Sequence, residues 1–139
     1  VSAQGPTSQT FGIEQVLFKL VAANFNVTTD QQFVPVGGVV PNNYFITRIR
    51  AALNPASTTT NLTTAAGGIY TAASKGGSAI VASGQAYTTL ASLATGLDLT
   101  IAAAGAQPLT TTPYLSLTTG QGAAATVDLY ILGFVVTGL

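Results

Sequence analysis

The chain has 139 residues, of which 6% are charged, four acidic and four basic, while 47% are hydrophobic. A length of this order holds one domain able to bury its own core without disulfides or metals. A typical soluble domain is about 25% charged, so neither nucleic acid nor an acidic substrate is drawn by a broad charged face. His, Cys, Trp and Met are all absent, which excludes imidazole bases, thiolate nucleophiles and the strong zinc sites.

Residues 1–12, VSAQGPTSQTFG, are polar and aperiodic and read as an arm without a core of its own. No basic segment precedes an apolar run there, so no signal peptide is expected. In IEQVLFKLVAA, residues 13–23, two periods compete. Ile13, Val16, Leu17, Leu20 and Val21 fit a helical stripe, whereas Val16, Phe18, Leu20 and Ala22 fit one face of a strand. The β character of every later segment favours the strand, and residues 1–23 are taken as an N-terminal arm or first strand ahead of a domain over 24–139.

From Phe25 the period is two. YFITRIRAAL sets Phe45, Thr47, Ile49 and Ala51 on one face, with Ile46, Arg48, Arg50 and Ala52 on the other. Gly67-Gly68 and Gly76-Gly77 bracket IYTAAS, and with SAIVAS this reads as two short strands joined by a Gly-containing turn. Leu90 and Leu93 allow one helical turn. LDLTI places Leu97, Leu99 and Ile101 inward. The strand in TVDLYILGFVV faces its core with Val127, Leu129 and Ile131. The run from Leu99 to Val127 has no charge, but Gly105, Pro108, Pro113, Gly120 and Gly122 prevent a membrane-spanning helix. Sparse charge and scattered aromatics also argue against a small membrane barrel. Seven to nine short strands separated by turns predict an all-β chain: a single β-sandwich, jelly-roll-like, with an N-terminal arm.

Chemistry is sparse. Glycosidase work needs two carboxylates in one cleft, and Glu14, Asp30, Asp98 and Asp128 show no such pairing in sequence; Asp98 and Asp128 sit at outward strand positions. AAGGIY and SKGGSA fit neither dinucleotide nor phosphate loops. Arg48 and Arg50 are the one cluster of like charge, able to bridge to Asp98 or Asp128 of a neighbouring subunit, to hold an acidic patch on a partner, or to keep an exposed strand solvated. No cofactor, metal, nucleic acid, membrane or small-molecule substrate is expected. The outer faces carry Thr, Ala, Ser, Asn and Gly where Lys and Glu are usual, and such surfaces lose little on being dehydrated against protein.

Taken together, FNVTTDQQFVPV, YFITRIRAAL, LTTAAGGIYTAASKGGSAIVA, LDLTIA and YLSLTTGQGAAATVDLYILG resemble the decoration (cement) and minor capsid proteins encoded among the head genes of tailed bacteriophages. The resemblance runs from about residue 24 to the C-terminus and rests on pattern and composition. It implies a homotrimer on the outer capsid surface of the virion, contacting the major capsid protein and bracing neighbouring capsomers. On that reading Phe11, Ile13, Val16, Leu17 and Leu20 lie against the shell or a neighbouring subunit, and a chain lacking residues 1–20 still folds. Two other readings stand beside it. One is a tail-fibre tip or surface carbohydrate-binding module stacking sugars on exposed Tyr44, Tyr70, Tyr87, Tyr114 or Tyr130. The other is a self-polymerising filament whose N-terminal strand completes the next subunit's sheet.

Overall fold

The computed structural model describes residues 13–41 and 43–136; Phe11 lies outside them. The described residues form nine strands: β1 Gln15–Asn24, β2 Gln31–Gln32, β3 Val34–Pro35, β4 Tyr44–Leu53, β5 Ala66–Ala72, β6 Gly76–Val81, β7 Gly96–Asp98, β8 Tyr114–Thr119 and β9 Thr126–Val135. They make two antiparallel sheets, β3-β1-β9-β4-β7 (sheet A) and β2-β8-β5-β6 (sheet B), packed as a β-sandwich. One short 3-10 helix, Ala103–Ala106, lies against β6, and no described helix is long and apolar enough to cross a membrane.

The strand pairs nest. From the β5–β6 hairpin outward, β4 pairs β7, β2 pairs β8 and β1 pairs β9, as in one long antiparallel ribbon. The pairs β4·β9 and β5·β8 then lay the halves of that ribbon side by side. Both flanks are strapped. On one flank β2 and β3 are a single extended run that steps from sheet B to sheet A at buried Phe33, whose N–H reaches Pro113 O at 3.0 Å. On the other flank, Leu99 N–H bonds Ile49 O at 2.9 Å, Ala102 N–H bonds Ile80 O at 2.8 Å, and Leu109 and Tyr44 exchange backbone bonds of 2.8 Å. The outermost strands β2, β3 and β7 are only two or three residues long, which limits edge pairing with another chain.

Leu17, Phe18, Ile49, Ile69, Leu115, Leu117, Leu129 and Ile131 fill the space between the sheets. Phe18 packs on Tyr44 with ring centroids 5.2 Å apart, and Phe25 meets Tyr87 edge-on at 4.8 Å. No buried side-chain polar atom among the described residues lacks a hydrogen-bond partner, as a single well-ordered core requires.

Bulges alter the expected alternation. In β1 the pairing with β9 shifts between Val16 and Phe18 and again between Leu20 and Ala23. Leu17 and Phe18 are therefore both buried, Ala23 replaces Ala22 on the inner side, and neither predicted period describes the strand. Leu17 is thus a core residue and not the interface residue expected of it; Leu20 packs partly against the same core. β1 lies between β3 and β9, so the sandwich includes residues 15–23. Removing residues 1–20 would take Leu17 and Phe18 out of the core; only a deletion confined to 1–12 tests an arm without dismantling β1. In β4 the register shifts between Ile46 and Arg48. Tyr44 and Ile46 face inward before the shift, and Ile49, Ala51 and Leu53 after it, so Phe45 points out, opposite to the expected face.

Ala22, inside the second β1 bulge, has φ 56°. The left-handed region costs a side chain with a Cβ about 1–2 kcal/mol, while glycine enters it freely at some cost in chain entropy. Ala22→Gly is expected to stabilise the fold by roughly 0.5–1 kcal/mol in urea unfolding; a lower midpoint would show that the bulge holds no such strain.

The glycine pairs also differ from expectation. They lie within β5 and β6, and the hairpin turns at Ala73, Ser74 and Lys75, with φ of 59° at Ser74 and 56° at Lys75. Close approach explains Gly67 and Gly68: a Cβ on the first would lie 2.3 Å from Leu117 Cα, and on the second 2.3 Å from Val81 O. The helical turn expected around Leu90 and Leu93 is absent; Leu90 is buried and Leu93 exposed.

Candidate interaction surface

The carboxylates serve the chain's own scaffold. β4 and β7 pair with Arg50 opposite Asp98, which places their side chains as cross-strand neighbours, and the guanidinium Nη1 donates to Asp98 Oδ1 at 2.9 Å. Asp128 Oδ1 accepts the N–H of bulged Ala22 at 2.8 Å and Asn54 Nδ2 at 2.9 Å. The bulge turns a backbone donor away from the ladder, and Asp128 satisfies it. Within the chain, Asp98 is held by Arg50, and Asp128 by Ala22 N–H and Asn54. Asp30 Oδ2 accepts Ser74 N–H at 2.7 Å, and Lys75 Nζ donates to buried Ser116 Oγ at 2.9 Å, together tying the β5–β6 turn to sheet B and the loop before β2. The Thr47 hydroxyl donates to Glu14. Among the described residues no group of three His, Cys, Asp or Glu side chains could hold a metal.

The tyrosines do not gather. Tyr44, Tyr70 and Tyr87 are buried. The half-exposed pair, Tyr114 on β8 and Tyr130 on β9, belongs to different sheets. The five tyrosines therefore do not form one stacking platform. Tyr44 OH donates to Thr111 O and Tyr87 OH to Gly67 O at 3.3 Å. Burial drives both phenols well above their ordinary value, with the charge of Tyr70 adding to the effect at Tyr87. In the unfolded chain they ionise above about pH 10, whereas the fold retains their protons. Stability is therefore whole below that pH and falls above it, by up to about 2.7 kcal/mol per pH unit for two such groups. Urea midpoints taken between about pH 8 and about pH 11.5 should be flat and then drop; a flat profile throughout would contradict the assignment.

The outer side of sheet A carries three of the chain's four Lys and Arg side chains. Strand register lays it out in rows. Val34, Lys19, Tyr130, Arg50 and Asp98 lie side by side across β3, β1, β9, β4 and β7. One row along, Val16, Leu132 and Arg48 are neighbours, and beyond them Phe45 and Phe134 pack with centroids 5.4 Å apart. β9 is thus apolar on both sides: Val127, Leu129, Ile131 and Val135 within, Tyr130, Leu132 and Phe134 half-exposed without. A strand of that kind reads as one covered on both faces. Val21 and Val34, 53% and 51% exposed, extend the apolar area toward β3.

Of the residues expected at an interface, Val16, Arg48, Arg50, Asp98 and Asp128 stand on this face, and exposed Ile13 lies two residues before β1. Sequence reasoning missed Phe45, Leu132 and Phe134, and singled out Tyr130 only as a sugar-stacking ring. The signal was present in the outward positions of TVDLYILGFVV, where three of the four residues from Asp128 to Phe134 are apolar. Comparison of the chain with protein families, with curated proteins and with solved structures finds no match.

Proposed function

We propose that this protein is a non-enzymatic structural subunit of a virion: a decoration (cement) protein, wound as a jelly roll, that trimerises and braces capsomers by binding the major capsid protein on the outside of the shell. The observation that carries the reading is β9, a central strand whose outward side is apolar from Tyr130 to Phe134 in a chain with few free charges to keep that side wet. The nested strand pairs support the jelly-roll winding. The self-supplied partners of all four carboxylates support a passive building block, since none is held ready for proton transfer. Many weak contacts repeated over a shell add up to strong retention.

The filament reading fares less well, because β1 is already paired with β9 along its length and with β3 at Phe18 and Lys19 within its own chain. Sedimentation of the purified protein, together with electron microscopy of labelled native particles, tests the proposal. A closed species of three times the 14.0 kDa chain mass and label on the outer shell are expected. A concentration-independent monomer attached to no particle would sink it.

A further inference from the structure

We propose that the outer face of sheet A is the surface that meets the shell, and that its counterpart is a protein surface with carboxylates set around an apolar centre rather than a second copy of this chain. The inference rests on the structural role proposed above and names which side of the sandwich carries it.

The argument is one of charge. Three of the chain's four cations, Lys19, Arg48 and Arg50, stand on this face around Tyr130 and Leu132. Lys19 and Arg48 have no ion-pair or hydrogen-bond partner among the described residues. The acids nearby are committed: Asp98 to Arg50, Asp128 to Ala22 N–H and Asn54, Glu14 to Thr47. The face therefore offers unanswered positive charge at the edge of an apolar strip.

A copy of the same face centred on β9 answers it poorly. Stacking two copies about an axis along β9 sets Lys19 opposite Arg50 of the copy; an axis across the strands sets Arg48 opposite Arg50. Like charges brought together at an interface cost several kcal/mol. Carboxylates from a different surface would match both free cations, while Leu132, Phe134 and Phe45 lose their remaining water. Single-stranded nucleic acid also likes cations beside aromatic rings on a sheet. Here, though, Phe45 and Phe134 pack on each other and are only half-exposed, and the carboxylate of Asp98 borders the row.

The test uses the full chain, empty shells assembled from the major capsid protein of the same particle, and a short oligo-dT strand. Lys19→Glu with Arg48→Glu should lower shell binding by roughly a hundredfold, with thermal midpoint and self-association mass unchanged. Lys19→Arg with Arg48→Lys should keep most of the binding, and Lys75→Glu on sheet B should leave it intact. Wild-type binding should weaken from about 50 mM to about 500 mM salt. Equal binding by wild type and the double Glu variant overturns this inference while leaving the proposed function standing. Failure of the wild type to bind shells overturns both. Loss of self-association in the double variant, or tight oligo-dT binding that it abolishes, overturns the choice of partner.

Discussion

Gly133→Ala is expected to be among the most damaging single substitutions in this protein, lowering stability by about 3–5 kcal/mol. Gly133 lies on the inner side of β9, opposite Ile46, where the β4 register shifts. A Cβ there would stand 1.9 Å from the carbonyl oxygen of Phe45 and 3.0 Å from Leu17 Cδ1. The first of these is backbone, fixed by the bulge and by the β4–β9 ladder, so it cannot rotate away as a side chain could. The β1 shift between Val16 and Phe18 sits at Leu132 and Ile131; both neighbours of β9 are thus irregular at the same level, and the methyl group would disturb them together. Since whole domains are stable by only about 5–15 kcal/mol, urea unfolding should show a large drop in midpoint. Gly84→Ala, where an added Cβ meets nothing within 4 Å, should change stability by less than about 0.5 kcal/mol. Similar midpoints for the two variants would show that Phe45 O is not held where described.

Gln121→Leu should cost nearly as much, about 3–5 kcal/mol, by a different mechanism. Gln121 is nearly buried, and its Oε1 accepts three successive backbone donors, Thr63, Thr64 and Ala65, at 3.1, 3.0 and 3.1 Å. Its Nε2 donates to Thr63 Oγ1 at 3.0 Å, and its own N–H reaches Phe25 O at 2.8 Å. One side-chain oxygen therefore organises the loop that seats Leu62 and Ala65 in the core. Leucine conserves much of the volume and leaves three donors without an acceptor, each worth about 1–3 kcal/mol when buried and unmet. Gln121→Glu retains the acceptor and should cost much less. If Leu and Glu variants unfold at the same urea concentration, packing and not the acceptor holds the loop.

Gln121 also shows where sequence reading stops. In TTGQGAAAT nothing distinguishes a solvated loop glutamine from one whose oxygen collects backbone donors from a loop 56 to 58 positions away in sequence. The all-β sandwich was legible because strands write a period of two, and β9 writes it without interruption from Val127 to Val135. In β1 and β4 the same signal is broken by one-residue shifts, and each shift exchanges the inner and outer faces for everything beyond it. Leu17 and Phe45 were misplaced for that reason. Asp98 was read as outward, which it is, but a cross-strand partner fixed by register is a tertiary fact that no local pattern carries. The interaction face was half legible: Arg48 and Arg50 stood out as charges in a chain nearly devoid of them, whereas Leu132 and Phe134 were lost in the general apolar background and Tyr130 was read only as a sugar-stacking ring.

The nested ribbon has a kinetic consequence. β9 forms the middle of sheet A, yet its partner β1 lies at the far end of the ribbon, and the bond from Ala22 N–H to Asp128 spans 106 positions. During synthesis, β1 and β4 lack the strand that lies between them until β9 is made. Chains ruled by such distant pairings fold over milliseconds to seconds instead of microseconds, and the interval leaves apolar strands without neighbours. The β5–β6 hairpin, closed by the local turn at Ser74 and Lys75, is the one part that can form early, so the sandwich zips from its hairpin tip toward the strand that completes it.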